Sequence, residues 1–230
     1  MLVIDVPATT ATSTMRWRVS TAKEVTGGLS NPNKMPGYSY NIPAWECKVG
    51  SALRELTGSV CSKCYARKGR YVLPTVKEAL YRRLACLQNP QWVEAMAFLI
   101  NWYYVRKDFG HFRWHDSGDL QSEEHLIKIC QVCILTPEVE HWLPTKELQI
   151  VRSFRQKYQV PHNLTIRASA FYLNKNPVKA AEDLPISTVY TKGNAPENAH
   201  LCPALGQDHK CGDCRACWDK GVKHVAYPAI

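Results

Sequence analysis

The chain has 230 residues, 45% of them hydrophobic, with ten cysteines and a formal net charge of +9. That length supports one sizeable core, or one domain with a small appendage. No apolar run of eighteen residues occurs, so no membrane partner is expected, and MLVIDVPATT, with an early acid and proline and no basic start, does not read as a signal peptide.

Residues 1–45 are rich in Thr, Ser, Asn, Pro and Gly and predict an extended, loop-rich arm. From Val76 to Tyr104 the pattern is helical, broken at Asn89-Pro90, and Gln91–Val105 is apolar almost all round, which implies burial. His111–His115 predicts a strand ending in the turn Asp116-Ser117-Gly118-Asp119. Glu123–Leu135 predicts a helix, Val139–Leu143 a strand, and Lys146–Tyr158 a helix with Thr145 as N-cap. Asn163–Ser169 and Ile186–Thr191 predict two more strands. Alternating strands and helices signal βαβ units around a parallel sheet. A complete eightfold barrel takes about 250 residues, so the expectation is an α/β fold. It takes the form of a partial or compressed parallel βα barrel, or an open sheet. The expected core is 46–200, with a Cys-rich C-terminal cap over 201–230.

The cysteines fall into sets. Cys202, Cys211, Cys214 and Cys217 lie in LCPALGQDHKCGDCRACW, and Cys47, Cys61 and Cys64 form a looser group. Thiolates two residues apart on a turn can grip one metal or cluster iron, with a distant partner closing the site. The four-Cys set suits a four-iron cluster or zinc and leaves no open position. The three-Cys set suits a cluster with one open iron, a zinc completed by histidine, or thiols that bind nothing. Cys86, Cys130 and Cys133 sit on apolar helical faces and read as core thiols.

Residues 1–110 hold 15 Lys/Arg against 7 Asp/Glu, whereas 111–230 hold 14 against 13. The basic stretch Lys63, Arg67, Lys68, Arg70, Arg82 and Arg83 suggests a polyanion, with nucleic acid the first candidate; the alternative is a solvated face. Polar residues also end several predicted strands. Asp116, Gly118 and Asp119 follow the first, Thr145 and Lys146 the second, and Arg167 and Ser169 the third. Strand ends are where α/β enzymes collect catalytic groups; the alternative is a turn whose aspartate caps a helix.

Several motifs resemble the phage and prophage proteins carrying the gene product 88 domain: SNPNKMPGYSYNIPAWEC, CxxCYARKGRY at 61–71, RWHDSGDLQS at 113–122, WLPTKE at 142–147 and CGDCRACW at 211–218. A phage origin implies the host cytoplasm. The layout also resembles radical S-adenosylmethionine enzymes. That resemblance implies a catalytic cluster on Cys47, Cys61 and Cys64 and an auxiliary one on the C-terminal set. S-adenosylmethionine would be held at Gly118, Asp119, Thr145, Arg167 and Ser169, with Asp116, Asp119 and Lys146 as catalytic groups and a nucleic acid or nucleotide as substrate. The family spacing is C-x3-C-x2-C, whereas thirteen residues separate Cys47 from Cys61 here. A second resemblance is to queuine-type transglycosylases, where HDSGDLQ matches the stretch around the catalytic aspartate. It implies Asp116 as the base-handling carboxylate and zinc on the C-terminal cysteines. A non-enzymatic nucleic-acid-binding protein with structural metal sites is the third class.

Overall fold

The computed structural model describes residues 2–6, 17–108, 110–177 and 183–229. Seven strands form one sheet: β1 (Tyr38–Tyr40), β2 (His111–Trp114), β3 (Glu140–Thr145), β4 (Leu164–Ser169), β5 (Ile186–Tyr190), β6 (His200–Leu201) and β7 (His224–Pro228). Their order is β1-β2-β3-β4-β5-β7-β6, and every pairing is parallel. The sheet does not close. The layout is a partial parallel α/β barrel, as the alternation of elements predicts.

Among the described residues six α-helices accompany it: α1 (Val19–Thr26), α2 (Lys48–Arg54), α3 (Pro74–Cys86), α4 (Trp92–Lys107), α5 (Glu123–Leu135) and α6 (Leu148–Lys157). α5 matches its predicted bounds, because Ser122 caps it by accepting from the His125 N–H at 3.1 Å. α6 starts later than predicted. Thr145 does not cap it, and its hydroxyl instead accepts from the Glu147 N–H at 3.0 Å.

The predicted arm is the main correction. Residues 7–16 of it lie outside the described residues. The rest supplies α1 and the edge strand β1. α1 lays Ala22 against Ala95 and Leu99 of α4, while the opposite face of α4 puts Trp92, Met96 and Ile100 into the main core. A helix clasped from both sides has no polar face to keep, which explains its all-round apolar sequence. Tyr40 fixes β1 in this setting. Its buried hydroxyl donates to the Thr26 and Arg83 carbonyls at 2.7 and 2.8 Å and accepts from the Trp92 indole at 3.1 Å.

Alternate residues separate the two faces of the sheet. Tyr40 and Trp114 pair in one row, as do Leu143 and Ile166 in another, and all join the helix-covered core. Ser39, Arg113, Trp142 and Thr165 form the next row on the concave face. The Cys-rich tail fills that face. Trp218 meets Trp142 edge-on at 5.2 Å, and its indole donates to the Phe112 carbonyl at 2.9 Å. The tail also contributes β6 and β7 to the sheet, so 201–230 is not a separate cap.

Arg167 corrects a further expectation. It is fully buried, and its terminal nitrogens are spent on backbone carbonyls. Its two terminal nitrogens donate to the Ile186, Val222, Ala216 and Asp219 carbonyls at 3.0–3.1 Å. A single guanidinium thus satisfies three carbonyls of the tail and one of β5. Arg167→Ala is expected to lower stability by roughly 3 kcal/mol, measured as a lower urea midpoint.

Candidate functional site

The loop after β1 is held over the carboxyl ends of its neighbours by hydrogen bonds to three other loops. The Ile42 N–H donates to the Ser117 carbonyl at 3.1 Å, and the Ser117 hydroxyl donates back to the Ile42 carbonyl at 3.0 Å. The Val49 N–H donates to the Glu147 carboxylate at 2.8 Å. The Val60 N–H donates to the Phe171 carbonyl at 2.8 Å. This loop carries Cys47 at the start of α2, Cys61 in the short turn Val60–Lys63, and Cys64 at its end.

All three thiols are half-buried. The Cys47 and Cys61 sulfurs face a common space that Gly50 leaves open: a Cβ there would stand 3.7 and 3.6 Å from them and 3.0 Å from the Cys47 Cβ. Burial pushes the Cys47 thiol up, with Asp119, Cys64 and Cys61 adding to it. Burial also raises Cys61, while the Lys146 ammonium counters. Cys47, Cys61, Cys64, Asp119 and Lys146 therefore share one electrostatic neighbourhood, although the segment from Cys47 to Lys146 spans 100 residues of the chain.

Asp119 is buried and saturated. One oxygen accepts from the Thr145 hydroxyl at 2.6 Å and the Leu120 N–H at 2.8 Å, the other from the Lys146 N–H at 2.9 Å. Burial raises its carboxyl, and these bonds oppose the rise. Asp119 thus ties the loop after β2 to the loop after β3, and Thr145 serves the same junction. Gly118 has φ +86, and a Cβ there would lie 2.3 Å from Ile42 Cγ1 and 2.7 Å from the Ile42 carbonyl oxygen. Only glycine lets these loops approach so closely. Ser169 stands half-buried at the end of β4, where its hydroxyl accepts from Ser187 at 3.3 Å.

The C-terminal cysteines converge as well. Cys202 follows β6, and Cys211, Cys214 and Cys217 lie on the turns before β7. The thiols influence one another's charge, and burial raises Cys202 and Cys211. Burial pushes Cys217 up to about 11, opposed by its contact with the Tyr227 hydroxyl. The Cys217 sulfur lies 3.1 Å from that hydroxyl, and the Cys214 sulfur lies 3.2 Å from His200 Nε2. Among the described residues no group of three His, Cys, Asp or Glu has the spacing for a single metal ion.

Arg113 stands between the two sets. Tyr65, Asp116, Tyr227 and Cys217 all act on its charge. Tyr65 donates its hydroxyl to the Asp116 carbonyl, and the Tyr71 hydroxyl faces the Asp116 carboxyl. Asp116 is half-buried, and burial raises its carboxyl, with Arg113 opposing. Elsewhere, a recess of about 360 Å³ lined by His111, Glu140, His162 and Arg215 opens at the start of β2–β4, away from the three-Cys loop.

The gene product 88 family model matches residues 14–225. The chain belongs to the gene product 88 family. No curated protein and no solved structure matches it.

In this family member the predicted phosphate contacts divide. Lys63, Lys68 and Arg70 are exposed beside the three-Cys loop. Arg67 is committed internally, donating to the Ala44 carbonyl at 3.0 and 3.2 Å and to the Ser51 hydroxyl at 2.5 Å. Arg83 is buried and donates to the Gly28 carbonyl at 2.9 Å. Arg82 lies on exposed α3 beside Glu78, at 4.0 Å. Neither Arg67 nor Arg83 is free to meet phosphate.

Sequence reasoning missed Arg113, Tyr227 and His200 as site residues. Arg113 could have been found, because a charge between Phe112 and Trp114 on a strand must face the opposite side. Nothing in the spacing marks His200 or Tyr227. Gly118→Ala is expected to cost roughly 2 kcal/mol by forcing Ile42 away. The check is a lower melting temperature together with lost protection of the Lys146 amide in hydrogen exchange.

Proposed function

We propose that this protein is an iron–sulfur enzyme of the radical S-adenosylmethionine type that modifies a nucleotide or nucleic acid. One observation carries the reading. Cys47, Cys61 and Cys64 meet in the loop after the first strand, at the carboxyl end of a parallel partial barrel, beside the Gly118-Asp119 turn that follows the second.

The donor set fits a cluster. The Cys47 and Cys61 thiols face a space that Gly50 keeps free of side-chain atoms, and Cys64 lies in the same electrostatic neighbourhood. Three thiolates leave one iron of a four-iron cluster without a protein ligand. Cys47, Cys61 and Cys64 would hold such a group, which would supply the electron for reductive cleavage of S-adenosylmethionine. The chain's own residues position and neutralise. Lys146 brings a positive charge beside Cys61, where it offsets thiolate charge and can meet a carboxylate. Asp119 and Thr145 act as positioning residues, since both are spent on holding the two loops together. Asp116 keeps a buried carboxyl oxygen without a hydrogen bond and is the acid–base candidate at the mouth.

The C-terminal four-Cys set is complete without an outside ligand, so its role is structural or electron-carrying. By donor type a second cluster or zinc would suit it, and the absence of single-ion spacing among the described residues favours the cluster. Lys63, Lys68 and Arg70 on the rim support a polyanionic substrate.

The test is iron, acid-labile sulfide and zinc analysis of protein purified without oxygen, with an optical spectrum. Wild type is expected to hold about eight irons with matching sulfide, or about four plus one zinc. Cys61→Ser is expected to lose about four irons while keeping its circular dichroism. With dithionite and S-adenosylmethionine, wild type should release 5′-deoxyadenosine and Cys61→Ser should not. Zinc without sulfide in wild type overturns the proposal in favour of a transglycosylase or a binding module.

A further inference from the structure

We infer that Arg113 anchors an oxyanion of the substrate, a phosphate or carboxylate bound between the two cysteine sets. The inference rests on the proposed function only in placing the substrate at that mouth.

Arg113 is the inward guanidinium that no backbone carbonyl or carboxylate answers; its partners are the Tyr65 hydroxyl and a methionine sulfur. It carries five N–H donors. Its Nη1 meets the Met35 sulfur at 3.2 Å, a weak acceptor. Its Nε is buried and has no hydrogen-bond partner. Its plane lies over the Trp142 ring, 4.4 Å from the centroid. Among the described residues no carboxylate lies within 4.0 Å of it. The other inward arginines differ. Arg167 shares the unpartnered Nε, but its terminal nitrogens meet four carbonyls; Arg67 meets one carbonyl and a hydroxyl, and Arg83 a carbonyl.

A buried donor without an acceptor costs about 1–3 kcal/mol, more when charged. Proteins tolerate that where a ligand supplies the acceptor. The surroundings describe the ligand. Stacking on Trp142 fixes the guanidinium plane, and a fixed fork suits the paired oxygens of phosphate or carboxylate. Tyr65 and Tyr227 bring hydroxyls to the same charge, and Tyr71 closes the side next to Asp116. Arg113 as a residue is half-buried, while its Nε is buried. Cys61 and Cys64 lie on the same loop as Tyr65, so an oxyanion on Arg113 would hold the attached group near the three-Cys set.

Isothermal titration calorimetry of the full-length protein tests this with thymidine 5′-monophosphate, inorganic phosphate and acetate. Wild type is expected to bind at least one of them with millimolar affinity or better. Binding of the phosphates alone identifies a phosphate subsite, and binding of acetate alone a carboxylate subsite; either supports the anchor. Arg113→Gln should weaken binding at least tenfold, about 1.4 kcal/mol, with Arg113→Lys between, and both variants should keep wild-type metal and sulfide content. Cys61→Ser should bind the anion as wild type does, so loss of the cluster reading leaves this one standing.

Equal affinity in Arg113→Gln, or no binding of any probe to wild type, overturns the inference. So does a variant that loses C-terminal metal yet keeps the anion, because Arg113 would then be a counter-charge for thiolate. Should Arg113→Gln fail to fold, phenylglyoxal labelling of wild type decides. The bound anion should protect Arg113 from modification, and an unprotected Arg113 overturns the inference.

Discussion

Two arginines stand on the concave face of this sheet, and a polar inner face has to be covered by groups that can pair with it. Arg167 sets how that is done. Three of its four carbonyl contacts draw residues 216–222 onto the sheet, and the Thr165 hydroxyl and Trp142 ring continue the same surface toward Trp218. The Cys-rich segment is thus part of the barrel's interior rather than an appendage. The position of the C-terminal cysteines, and of Arg113 beside them, follows from that packing.

The opposite boundary of the site depends on a second set of pairings. The loop after β1 has little regular structure of its own, only short turns and the seven-residue α2. Backbone hydrogen bonds to the loops after β2 and β4, and to the Glu147 side chain after β3, make it rigid enough to hold three cysteines in place. Asp119 is the junction among those neighbours. A buried carboxylate with three donors is stable where it sits and unsuited to moving. Asp119 is therefore taken up by the fold, whereas Arg113 and Asp116 each keep a polar atom without a hydrogen bond.

The parallel sheet was legible wherever hydrophobic period and caps coincided. α5 and the four strands from β2 to β5 follow their sequence patterns to within one or two residues at each end. α1 and β1 were hidden. Tyr38–Tyr40 is too short to show a period of two, and Val19–Thr26 has a weakly apolar sequence that gains its face only by meeting Ala95 and Leu99. The basic stretch misled for a related reason. Composition cannot tell an arginine bound to a carbonyl, such as Arg67 or Arg83, from one facing solvent, such as Arg70.

The sequence by itself determined the grouping of the cysteines, the α/β alternation and the tight turn at Gly118, because these depend on spacing and local backbone chemistry. Tertiary structure decided which charges are available. Arg113 and Arg167 are both inward residues on neighbouring parts of one sheet. One faces backbone carbonyls supplied from fifty residues away and the other does not. Hydrogen-bond satisfaction is a property of what the folded chain brings within 3 Å or so, and no local pattern records it.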